Sequence, residues 1–137
     1  MAKIILASHG GLSKGMKDSV SMIVGDLAKD IETYSLLPGQ NPEDFYQEVL
    51  KEAKESEEQI LILCDIKGGS VHTALSKLAV LDNVMVFSGM NMGLVLDAVM
   101  KGLNGKLELA EANDLIEVAK DGMTVMNGMT SEDDEDF

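Results

Sequence analysis

Ile4-Ile5-Leu6-Ala7-Ser8-His9-Gly10-Gly11-Leu12-Ser13 passes from an apolar run through a polar turn with two glycines into a helical pattern. An unbroken apolar run reads as a parallel strand buried on both faces, because a strand with one wet face would alternate. His9 then stands on the turn at the strand's carboxyl end, where open α/β sheets hold their ligands. The same grammar returns at Ile60-Leu61-Ile62-Leu63-Cys64, which is followed by Asp65 and then Gly68-Gly69-Ser70. A reactive side chain, a glycine pair and a helix start therefore follow an apolar strand twice.

Outward from these runs, Leu12, Met16, Val20, Ile23 and Leu27 recur at helical spacing and predict a first helix over residues 12–28 with those positions inward. Residues 31–36 alternate, as an edge strand does, and Pro38-Gly39 ends them. Asn41-Pro42-Glu43-Asp44 is a helix start, with a capping side chain, a proline at the first position and two acids suited to the dipole. Phe45, Val49, Leu50 and Ala53 give this second helix its inner face. A third helix is predicted over 71–80, burying Val71, Ala74, Leu75 and Leu78 with Gly69 or Ser70 as its cap, and Val84–Phe87 is the fourth strand. Leu94, Val95, Ala98 and Val99 mark a fourth helix that Gly102 and Gly105 close, and a fifth spans 108–120.

Strands alternating with helices imply an α/β, doubly wound, mainly parallel four-stranded sheet with helices on both faces, and the expected strand order is 2-1-3-4. A chain of 137 residues, 45% of them hydrophobic, supports one core, so a single domain is expected over 1–130. The ten methionines are read as core filling. Glu132, Asp133, Asp134, Glu135 and Asp136 make 131–137 an acidic, disordered tail.

The formal charge of −13 disfavours nucleic acid and anionic membrane surfaces as direct partners; removing the five charges of the tail leaves −8. There is no signal-type segment and no apolar run of bilayer length, so a soluble cytoplasmic protein without membrane insertion is expected. Cys64 is the only cysteine and reads as a buried, inert thiol. All eleven basic residues are lysine, so an anion would be held by backbone N–H groups, hydroxyls and point charges instead of guanidinium forks. Such loose holding suits a group that is passed on.

In the order 2-1-3-4 the first and third strands are neighbours, and His9 and Asp65 would meet over a topological switch point. A carboxylate on one imidazole nitrogen fixes the tautomer and makes the other nitrogen more nucleophilic, which is half of a phosphoryl-transfer site. Gly10, Gly11, Gly68 and Gly69 would supply the other half by letting the backbone approach a phosphate, with helix starts at Gly11 and Ser70 aiming N–H groups at it. Ser70 and Ser13 could add hydroxyls, and Ser13, Lys67 and His72 are candidates for the rim. Met16 stands where a P-loop demands lysine, a histidine phosphatase would need arginines, and two histidines with one cysteine give no metal-ligand spacing, so no cofactor or metal is expected.

On Ser8-His9-Gly10, Pro38-Gly39, Asp65 with Gly68-Gly69-Ser70, and Gly89 to Leu94, the chain resembles the EIIA component of the mannose family of the sugar phosphotransferase system (PTS). The resemblance runs to about residue 126. It implies that His9 accepts a phosphoryl group from the phosphocarrier HPr and donates it to a separate EIIB, which serves the membrane components EIIC and EIID. It also implies that Asp65 orients His9 and that Ser70 with the start of the third helix helps cradle the phosphate. A fifth, antiparallel strand exchanged across a homodimer is implied too, with 123–126 as the candidate. Val71 replaces the proline often found after the Gly-Gly-Ser run, and Ile66-Lys67 differs from the hydroxyl and aromatic residues of some relatives. Two other readings compete. One makes the client a dihydroxyacetone kinase subunit, although family members of that kind usually carry Met-Gly-Ser after the aspartate. The other is a non-catalytic, flavodoxin-like ligand-binding or regulatory domain.

Overall fold

The computed structural model describes residues 1–128, so the tail expected at 131–137 and the domain end expected at 130 lie outside the described residues. The elements are β1 (Lys3–His9), α1 (Leu12–Val24) running into a 3-10 turn (Gly25–Ala28), β2 (Glu32–Leu36), α2 (Glu43–Glu55) and β3 (Ile60–Cys64). They continue with α3 (Ser70–Leu75) prolonged by a 3-10 turn (Ser76–Val80), β4 (Val84–Phe87), α4 (Met92–Gly102) and α5 (Leu109–Asp121). The sheet is four-stranded, all parallel, in the order β2-β1-β3-β4, as the sequence predicts.

The period of two along the central strands sorts their side chains between two layers. Ile4 and Leu6 of β1, with Leu61 and Leu63 of β3, pack against Val20, Leu94, Val95 and Leu115 on α1, α4 and α5. Ile5 and Ala7, with Ile60, Ile62 and Cys64, pack against Phe45, Val49, Val71 and Leu75 on α2 and α3. All five residues of β3 are buried, which explains its unbroken apolar run; Ile62→Ala there would cost about 2–5 kcal/mol. The edge strand β2 is half-buried throughout.

Polar groups finish the pole opposite the His9 turn. Buried Gln59, at the entry to β3, donates to the Leu107 carbonyl at 2.8 Å and accepts the Leu107 N–H at 2.7 Å, pinning the α4–α5 connection to the sheet. Lys3 pairs with both Glu32 and Glu52, joining β1 to β2 and α2. At helix starts, Asn91 caps α4 by accepting the Leu94 N–H at 2.8 Å, and Glu108 and Glu111 form a reciprocal capping box on α5.

Three expectations change. Gly25, with φ of 60°, ends the α-helical part of the first helix before Ala28. Leu12, Ile23 and Leu27 are exposed, whereas Ser13, Val20 and Ala28 are buried and Met16 and Val24 half-buried. Both sets have helical spacing, and the entry turn decides between them, because the Ser13 N–H bonds Ser8 Oγ at 2.8 Å and thereby faces the sheet. The methionines are not core filling: among the described residues only Met90 is buried, Met16 and Met85 are half-buried, and the rest are exposed. Residues 123–128 carry no regular element in this chain; the strand expected at 123–126 was expected to pair with a second subunit.

Candidate active site

The β1–β3 register pairs Ala7 with Cys64, so Asp65 is the first residue beyond the ladder and its N–H still reaches the Ala7 carbonyl at 3.2 Å. His9 has the same parity as Ile5 and Ala7, whose side chains face α2 and α3, and it therefore reaches the layer in which α3 begins. Ser8 has the other parity, and its hydroxyl meets α1 instead. The two loops of like grammar thus converge because one register and one alternation require it.

Asp65 Oδ2 accepts two hydrogen bonds from His9, one from the backbone N–H at 2.8 Å and one from the ring Nδ1 at 2.8 Å. Its other oxygen accepts the Ile66 N–H at 2.9 Å. Burial pushes the Asp65 carboxyl up, but the bonds from His9 and Ile66 and the nearby imidazole outweigh it, so the group is held below its ordinary value and is ionised at neutral pH. An ionised carboxylate only accepts, so the proton of a neutral His9 ring resides on Nδ1 and the lone pair on Nε2. Nε2 lies 3.1 Å from Ser70 Oγ, which can donate to it. The His9 side chain is 48% exposed and that of Asp65 9%, so the imidazole is half open to solvent while the carboxylate that supports it is not. Beneath them Cys64 is buried, and desolvation, followed by the Asp65 charge, pushes its thiol up to about 12. It stays protonated and is no nucleophile.

Three of the four glycines expected to let the backbone approach a phosphate have their own N–H groups engaged within the protein. The Gly10 N–H is taken by the Leu36 carbonyl at 2.8 Å, the Gly69 N–H by the Ile66 carbonyl at 3.2 Å, and the Gly68 N–H by His72 Nδ1 at 3.0 Å. Their contribution is conformational. Gly10 and Gly68 turn the chain at φ of 57° and 78°. A Cβ on Gly69 would lie 2.8 Å from Ile66 Cγ2 and 3.3 Å from His9 Cε1, so any larger residue would displace the Ile66 side chain and crowd the imidazole. Gly11 is exposed as the N-cap of α1, and Ser70 opens α3, where first-turn N–H groups have no helical acceptor.

Of the rim candidates, Ser13 is removed from the site: it is fully buried, and its hydroxyl donates to the Tyr34 carbonyl at 2.9 Å. Lys67 is exposed on the β3–α3 loop and makes no hydrogen bond to His9, Asp65 or Ser70 among the described residues. His72 is half-buried and bound to its own loop instead of standing solvated at the edge. The sequence alone assigns no role to the Ser8 hydroxyl or to Thr73. Ser8 is buried at the end of an apolar strand and needs a partner for its hydroxyl, which accepts the Ser13 N–H in the first turn of α1.

A family model described as the PTS system fructose IIA component, EIIA-man, matches residues 3–116 and so contains the whole site. The chain belongs to the EIIA-man family. The sorbose-specific EIIA component of the PTS of Klebsiella pneumoniae is 30% identical to this EIIA chain over 101 residues, 72% of this chain and 73% of that protein. The solved structure of a phosphotransferase system component EIIA from Streptococcus agalactiae shares the fold with a TM-score of 0.79 at 23% identity, covering 91% of this chain and 97% of that one. A PTS IIA protein associated with the fucose utilization operon of Streptococcus pneumoniae gives a TM-score of 0.73 at 27% identity, covering 91% and 96%. Among the described residues of this EIIA chain, no helix is long and apolar enough to cross a membrane.

Proposed function

We propose that this EIIA chain is a cytoplasmic phosphocarrier of a sugar PTS that receives a phosphoryl group from phospho-HPr on His9 Nε2 and hands it to a separate EIIB, which works with EIIC and EIID. The observation that carries this reading is the division of the imidazole: Nδ1 is tied at 2.8 Å to an ionised, largely buried carboxylate, and Nε2 is left at a half-open surface beside a hydroxyl. In the forward step the Nε2 lone pair attacks phosphorus in line. The phosphorus–nitrogen bond of the donor phosphohistidine breaks and its electron pair returns to the donor imidazole. The proton stays on Nδ1, where Asp65 balances the positive charge that develops on the ring, and the Ser70 hydroxyl turns from Nε2 to a phosphoryl oxygen. Delivery to EIIB is the same displacement reversed, so a site holding the group without guanidinium forks suits both directions.

Two subunits complete the reading. The free edge of β4 opens into a groove lined by Met85, Val86, Phe87, Leu109 and Ile116, and the chain that leaves α5 exposes Met123, Val125 and Met126. An open edge beside apolar surface is a liability unless a strand covers it, and residues 123–126 of a partner subunit fit that role. Incubation with enzyme I, HPr and labelled phosphoenolpyruvate tests the central assignment: the wild-type protein takes label and His9→Ala does not. A labelled His9→Ala protein would refute the role of His9.

A further inference from the structure

The loop that brings Ser70 to His9 is fastened by the helix it precedes. Gly68 sits at φ of 78°, and both its backbone groups are held from the first turns of α3: its N–H donates to His72 Nδ1 at 3.0 Å and its carbonyl accepts from Thr73 Oγ1 at 3.3 Å. The next residue, Gly69, stands beside the His9 ring, where an added methyl group would come within 3.3 Å of Cε1, and its carbonyl accepts the first helical bond of α3, from the Thr73 N–H at 2.8 Å. The residue after that is Ser70. Any rotation of the peptide before Gly68 is therefore passed to Gly69, beside the imidazole, and to Ser70, which meets Nε2 at 3.1 Å.

We infer that His72 is a positioning residue of the phosphoryl-transfer site, whose Nδ1, acting as the acceptor for the Gly68 N–H, holds the 65–70 loop in the conformation that places Gly69 and Ser70 against His9. This rests on the reading of His9 as the phosphoryl acceptor. The bond fixes the His72 proton on Nε2 and occupies Nδ1, so His72 is not a second acceptor through that nitrogen. It also explains why the Gly68 N–H is not offered to phosphate. An N–H in a left-handed turn beside a half-open site would otherwise exchange its partner with water, and the loop would sample other conformations.

Two substitutions at one position separate this role from simple packing. Asparagine carries Oδ1 at the same branch from Cγ as Nδ1 and keeps an acceptor there, whereas leucine puts a methyl group in that place. His72→Leu lowers the rate of His9 phosphorylation at saturating phospho-HPr about tenfold, the factor for one lost hydrogen bond in the geometry of attack, and His72→Asn restores it to within about twofold. The half-saturating donor concentration stays within about twofold in both variants, since the bond lies behind the reacting face. The ring nitrogen signals of His9 in NMR spectra give a readout that needs no transfer: the Nε2 signal shifts in His72→Leu, as Ser70 leaves it, and not in His72→Asn. Equal rates and an unmoved His9 signal in His72→Leu, or an asparagine variant as impaired as the leucine one, would overturn the inference. If the wild-type protein takes no label at all, the phosphocarrier reading falls, and the His9 signals still decide whether His72 sets the loop.

Discussion

Replacing Asp65 by asparagine tests what the carboxylate does, because the amide keeps the shape and loses one of two acceptors. In the wild-type protein Oδ2 accepts both the His9 N–H and Nδ1–H at 2.8 Å, and Oδ1 accepts the Ile66 N–H at 2.9 Å. An asparagine can serve only one of these sides. With its oxygen toward His9, its NH2 opposes the Ile66 N–H. Turned the other way, the NH2 donates to the imidazole, selects the tautomer with the proton on Nε2 and removes the attacking lone pair. Charge-assisted hydrogen bonds are worth about 1.5–3 kcal/mol, and a loss near the upper part of that range corresponds to roughly a hundredfold in rate. Rapid-quench transfer of label from phospho-HPr should therefore show Asp65→Asn slower by roughly a hundredfold, with the protein still folded. The stability difference has a definite sign with pH. The Asp65 carboxyl is held below its ordinary value, so its stabilisation is complete above that ordinary value and fades as pH falls through the folded one. The variant lacks this dependence, so urea titrations of the two proteins should converge on acidification. Wild-type transfer rates in Asp65→Asn would refute the orienting role.

Other perturbations separate the site from the scaffold. Gly69→Ala places a methyl group 2.8 Å from Ile66 Cγ2 and 3.3 Å from His9 Cε1; Ile66 is 59% exposed and can swing outward, so transfer should fall several-fold with a midpoint of thermal unfolding that moves little. Gln59→Ala strands both the N–H and the carbonyl of Leu107 and should lower the free energy of unfolding in urea by about 2–3 kcal/mol, with His9 labelling intact. Val125→Asp places a charge in the strand proposed to cross between subunits, and light scattering should show its dimer dissociating at concentrations where the wild-type protein stays paired. A wild-type protein that scatters as a monomer would remove the exchanged strand.

The centre of the sheet was readable because β1 and β3 are buried on both faces, and burial of that kind leaves an unbroken apolar run with nothing to confuse it. The repeated turn grammar then placed His9 and Asp65 at one edge, since strand order alone decides whether two such turns meet. The first helix shows the limit. Helical spacing groups Leu12, Ile23 and Leu27, and Ser13, Val20 and Ala28 as well, and the choice belongs to a hydrogen bond between Ser8 and Ser13 that periodicity does not encode. The glycine pairs show another. Their presence announces a tight turn, but whether an N–H points at a ligand or at Leu36, Ile66 or His72 depends on torsions set by the assembled loop. From the sequence His72 is a rim candidate for the same reason, because its bond to a residue four positions earlier exists only in the assembled loop.

Labelling the protein with 15N-histidine, phosphorylating it through enzyme I and HPr, and reading the phosphorus–nitrogen coupling tests the divided imidazole most directly. The coupling should fall on Nε2 of His9, with Nδ1 still protonated and bonded to Asp65. Phosphorus on Nδ1, or on His72, would contradict it.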